Sequence, residues 1–209
     1  MSRRTSRMVA VMMAALLVAG GVAALAWPHA DSLRYLRGNA VAAEPGETPT
    51  PEELAGMDAV DDLDDSFRVA SVDLDVPLGA LTPVGDTITP PGFTSAYLVR
   101  NLGVLPQNAP EGTVFVVMHS LRDGAVGPGN HLIDVDAKTS RLRAGNIITV
   151  AGLDYAVTGS SVVRKSELAR DADTWADDPG RLVVITCLQR PEGGPSVDNV
   201  VIFARLTHL

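Results

Sequence analysis

The sequence predicts an all-β chain folded as a closed or nearly closed barrel, with little helix. Three observations carry this. Seven or eight short strand-like segments follow one another from Phe67 onward, separated by Gly- and Pro-rich turns. Several of them, such as "GTVFVVMHS" and "RLVVITC", are continuous apolar runs of strand length bounded by polar residues. Long helical periodicity is missing from this region, and only "NHLIDVDAKT" and "KSELARDADTW" could each supply a turn or two.

In chain order, "MSRRTSR" (1–7) places Arg3, Arg4 and Arg7 before an uncharged run, Met8 to Trp27. At about 1.5 Å per residue, some 20 residues cross a bilayer core of about 30 Å. Cationic flanks stay on the cytoplasmic side. Residues 8–27 are therefore expected to be a single-pass anchor with residues 1–7 inside and everything later outside the cell. A cleaved signal peptide is the alternative, and Ala24-Leu25-Ala26 fits its cleavage pattern.

Residues 28–66 read as an extracellular tether. The stretch 44–66 carries four Glu, five Asp and no Lys or Arg, so the formal charge of −8 becomes +1 without these nine acids. Such local acidity with low hydrophobicity favours solvated chain. A short helix over Pro51 to Met57 is compatible with it. Near-neutral charge elsewhere, with no basic stripe among the aromatics, argues against nucleic-acid binding.

Residues 67–209 then read as the folded domain. "FRVASVDLDVPLGAL" alternates with strand period; "GDTITPP" and "SAYLV" are further candidates, broken by Pro90-Pro91-Gly92. Ile147 to Ala151 and Tyr155 to Val163 read as a hairpin turning at Gly152. "SVDNVVIFARL" closes the series.

Cys187 is the only cysteine, so no disulfide can form within the chain. It ends the apolar run Leu182 to Ile185 and faces the polar, turn-rich "QRPEGG". A buried structural thiol and a nucleophile are both open readings of that position. Among the four histidines, His119 ends another buried strand, Val114 to Met118, and opens a polar loop. A nucleophilic thiol needs its anion, and a nearby imidazole can supply or stabilise it. Two strands ending at one rim of a barrel would bring Cys187 and His119 together. Attack on a carbonyl also needs an oxyanion donor; Arg190, three residues past the thiol, is the candidate. Arg122 and Arg205 are weaker ones.

With these residues in place the chain resembles a sortase, a membrane-anchored cysteine transpeptidase of Gram-positive bacteria. The N-terminal span and tether, "VVMHS" followed by "GPGN", "VVITC" beside the family's Leu-x-Thr-Cys, and "DNVVIFA" as last strand carry the resemblance, in family order. It covers about Phe67 to Leu206. The resemblance implies an eight-stranded barrel and a Cys-His-Arg site with Cys187 and His119 in the first two roles. It implies cleavage of a Leu-Pro-x-Thr-Gly-like sorting signal on a surface protein through a thioacyl-enzyme. The acceptor would be an amine of a peptidoglycan precursor or a pilin lysine. Many relatives place the arginine about a dozen residues after Cys, where this chain reads Ser196-Val197-Asp198-Asn199, so Arg190 is a displaced substitute. Composition suits an actinobacterium and a subclass similar to class E or F. No cofactor is implied, and no acidic pair matches the calcium site of some relatives, so no metal is expected. A non-catalytic anchored barrel that binds a peptide or wall polymer is the alternative.

Overall fold

The computed structural model describes residues 49–85 and 88–208. The expected anchor over 8–27 lies outside them. Among the described residues no helix is long and apolar enough to cross a membrane.

Eight strands close into a barrel: β1 (Ser66–Val69), β2 (Leu74–Leu81), β3 (Ala96–Val99), β4 (Thr113–Met118), β7 (Ile147–Val150), β8 (Leu153–Arg164), β9 (Arg181–Leu188) and β10 (Asp198–Leu206). Their order around the barrel is β1-β2-β3-β4-β9-β10-β8-β7, with β1 paired to β7. The predicted all-β barrel is therefore the observed fold. β5 (Ile133–Asp134) and β6 (Thr139–Ser140) form a separate small ribbon in and just after the stretch read as able to supply a helical turn. The run read as one alternating strand from Phe67 is instead a β1–β2 hairpin, broken by a short 3-10 turn over Ala70–Val72 that ends in left-handed Asp73 (φ 51°). The candidate strand at 85–91 forms none over its described residues. The hairpin at Gly152 and the strands Thr113–Met118 and Arg181–Leu188 form as expected.

Strand alternation sorts the apolar side chains into two cores. Even-numbered residues of β4, β9 and β10 (Val114, Val116, Met118, Leu182, Val184, Val200, Ile202, Ala204) fill the barrel interior with Phe67, Leu78 and Tyr155. Odd-numbered ones (Phe115, Val117, Val183, Ile185, Val201) face outward, yet they are buried as well. Both sides of these strands are covered, which is why their sequence is continuously apolar instead of alternating.

The outer cover comes from two short helices, α2 (Lys165–Leu168) and α3 (Ala172–Trp175). Leu168 and Trp175 pack on the outer core. The Trp175 indole lies 5.6 Å from the Phe115 ring and donates Nε1–H to the Leu168 carbonyl at 2.5 Å.

Part of the segment read as a tether also covers the barrel. Thr50 caps α1 (Pro51–Met57) with a capping box to Glu53, as a Thr-Pro-x-Glu start favours. Met57 is buried, Val60 bridges to Ala80, and the Tyr97 hydroxyl donates to Asp61 at 2.7 Å. Gly79 permits this approach: a Cβ there would lie 2.3 Å from the Val60 carbonyl oxygen.

Candidate active site

In the parallel pair β4–β9, Met118 lies opposite Thr186. One residue further along each strand come His119 and Cys187. Adjacent strands lie about 4.8 Å apart, so the two chemically reactive residues, 68 positions apart in sequence, become neighbours. Both keep the outward parity of Val117 and Ile185. They therefore meet at the strand ends on the outer wall of the barrel, beyond the edge of the outer core.

A cavity of about 370 Å³ opens there, lined among others by His119, Cys187, Asn199, Phe93, Leu168 and Trp175. The ends of β4 and β9 form its floor; the loop through Ile88–Phe93 and the α2–α3 cover form its sides. Cys187 is partly exposed, whereas its neighbours Thr186 and Leu188 are buried. The thiol is thus accessible on a strand that is otherwise sealed.

His119 is 8% exposed. Its Nε2 lies 2.9 Å from the Pro90 carbonyl, and the Phe93 ring sits 4.9 Å from the imidazole, tilted by 37°. A carbonyl only accepts, so Nε2 carries a proton in this bond. Pro90 and Phe93 thereby orient the ring. The Pro90-Pro91-Gly92 break noticed in the sequence has this as its structural consequence.

A polar clasp ties the two strand ends together. Ser120 Oγ–H donates to the Cys187 carbonyl at 2.5 Å, and Gln189 Nε2 donates to the Ser120 carbonyl at 2.8 Å and to Ser120 Oγ at 3.0 Å. Both residues are buried. Beneath them, Gly129 N–H donates to the His119 carbonyl at 2.9 Å.

The cations fall differently from the sequence expectation. Arg190 does not line the cavity. Its guanidinium binds Glu192, with Nε at 2.9 Å and Nη2 at 2.6 Å, and its side chain is 41% exposed. The Glu192 carboxyl is held below the usual range by its own backbone and then by this guanidinium. Arg122 does line the cavity; its side chain is 11% exposed and pairs with Asp123 at 3.2 Å. Lys165 lines it too. Arg205 binds Asp178 and the Pro179 carbonyl, away from the cavity lining. Sequence reasoning missed Asn199, Ser120, Gln189 and Phe93 as parts of the site. Asn199 alone left a readable signal: it opens the last strand, at the place where an arginine was sought.

No family model matches the sequence, and no curated protein does. Solved structures do match. A point mutant of sortase C-1 from Streptococcus pneumoniae superposes with TM-score 0.51 at 13% identity, over 69% of this chain and 66% of that one. Its likeness settles the architecture. The barrel is a sortase fold. Sortase C-1 from Actinomyces oris matches with TM-score 0.49 at 16% identity, over 76% of this chain and 82% of that one. Sortase A from Listeria monocytogenes matches with 0.46 at 18%, over 68% and 85%. In the sortase fold of this chain, Cys187 and His119 occupy adjacent strand ends beside a cavity, whereas Arg190 stands outside it.

Proposed function

We propose that this chain is a sortase-type cysteine transpeptidase. It cleaves a Leu-Pro-x-Thr-Gly-like sorting signal on a surface protein and passes the acyl group to an amine, of a peptidoglycan precursor or a pilin lysine. The observation that carries the reading is the register of β4 on β9, which puts a solvent-accessible thiol beside an oriented imidazole in one cavity.

In this reading Cys187 gives its proton to His119, and the thiolate attacks the Thr carbonyl carbon of the signal. The C–N bond breaks, the leaving amine takes the proton from the imidazolium, and a thioester remains on Cys187. An incoming amine then attacks the thioester and restores the thiol. Ile88, Phe93, Leu168 and Trp175 give the cavity apolar walls, which suit the apolar part of such a signal. An N-terminal anchor over residues 8–27 would keep the domain at the cell membrane with its site outside.

The displaced Arg190 favours one second reading, a non-catalytic anchored module that binds a peptide or wall polymer. Cleavage separates the two. The purified chain is incubated with a panel of fluorogenic Leu-Pro-x-Thr-Gly variants and a triglycine acceptor. Transpeptidation is expected in the wild type and none in Cys187→Ala. Binding without turnover across the panel favours the second reading.

A further inference from the structure

β9 is the middle strand of three, between β4 and β10. His119 flanks Cys187 on the β4 side. On the β10 side, the residue directly opposite Cys187 in the antiparallel register is Asn199. Opposed residues of an antiparallel pair project from the same face, and Asn199 accordingly lines the same cavity. It is 7% exposed, yet its carboxamide forms no hydrogen bond with any described residue. Its amide is not among the sealed polar groups without a partner, which among the described residues are those of Tyr155, Thr186 and Ser196; it reaches the cavity, and its two N–H donors are available there beside the accessible thiol.

We propose that Asn199 donates the hydrogen bond that stabilises the oxyanion formed when Cys187 attacks its substrate. The inference rests on the transpeptidase reading and assigns it a residue that touches the reacting atoms. As the Cys187 Sγ–carbon bond forms, the carbonyl π pair moves onto oxygen, and an Asn199 N–H donates to that oxygen. As the pair returns, the C–N bond breaks and the amine leaves with the His119 proton. Asn199 gains and loses no proton, so it acts identically in the acylation and deacylation steps. A neutral amide fixed in position is a sufficient donor for this task, as side-chain amides are in other oxyanion holes. None of the three candidate cations is opposite the thiol: Arg190 is engaged by Glu192, Arg122 follows His119 on the β4 side, and Lys165 lies past the end of β8, beyond β10.

The test is single-turnover acylation of the full chain by a sorting-signal peptide that the wild type cleaves, followed by intact mass. Alkylation of Cys187 by iodoacetamide serves as the second readout. Asn199→Ala should acylate about 10²-fold more slowly, with KM and alkylation rate each within about threefold of wild type. Asn199→Asp, equal in shape but without N–H donors, should lose at least as much acylation. Wild-type acylation in Asn199→Ala overturns the proposal. So does a parallel fall of alkylation and acylation, which assigns Asn199 to support of the strand. A wild type that is alkylated at Cys187 but acylated by no peptide removes the transpeptidase reading, and this role with it.

Discussion

Single residues show how local partners decide what a side chain can do. Arg190 stands close to Cys187 in sequence, but Glu192 two residues later captures its guanidinium outside the cavity. Arg190→Ala should therefore change turnover by less than about threefold, the scale of an exposed substitution. A loss near 10²-fold would mean that substrate pulls the arginine inward. Tyr155 makes a different case. It is fully buried in the barrel, its hydroxyl has no partner among the described residues, and burial pushes its pKa up to about 12. Removing an unsatisfied buried hydroxyl is neutral or favourable, so Tyr155→Phe should leave stability unchanged or raise it by up to about 1 kcal/mol. Between about pH 10 and 12 the unfolded chain has lost this proton and the folded chain keeps it, so the Tyr155 contribution declines as pH rises. Urea midpoints from pH 8 to 12 should fall less steeply for Tyr155→Phe. An identical slope would contradict the burial account.

At the scale of elements, β9 does the joining. Its pairing with β4 sets His119 beside Cys187, and its pairing with β10 sets Asn199 opposite. The loop carrying Gly129 locks the underside. A Cβ at Gly129 would lie 2.0 Å from Thr186 Oγ1 and 2.9 Å from the His119 carbonyl oxygen. Gly129→Ala should thus cost about 1–3 kcal/mol and depress activity further than stability alone explains, because it pushes on both strand ends. Denaturant unfolding beside rate measurements at saturating peptide checks this; wild-type values for both would refute it. Most strands were legible in the sequence, because apolar runs bounded by turn residues admit little else. The β1–β2 hairpin was not. Its turn uses Asp73 in a left-handed conformation, with no Gly or Asn to announce it. The two-strand ribbon at 133–140 escaped for another reason: strands of two residues carry no period.

For the whole molecule, the decisive information was long-range. Cys187 and His119 were recognisable because each ends a buried run and faces a polar loop. That they meet on the outer wall was not legible, since a strand's parity with respect to the core depends on what covers its second face. Here α2 and α3, each only four residues long, do so together with the segment after α1 that carries Ala59. Nor was the docking of residues 51–61 legible, because acidic composition masks Met57 and the Gly79 gap that receives its neighbours. Asn199 was legible only as the residue standing where an arginine was sought; that it lies opposite Cys187 was not, because the β9–β10 register depends on a loop, 189–197, whose geometry its sequence does not specify. The central claim is that a thiol on β9 and an imidazole on β4 form one acyl-transfer centre. The most direct measurement is the mass of the enzyme quenched in acid during turnover of a sorting-signal peptide without amine acceptor. A thioester on the peptide containing Cys187, absent in Cys187→Ala and strongly reduced in His119→Ala, is the predicted result. Turnover with no adduct on Cys187, or an adduct level unaffected by His119→Ala, would contradict it.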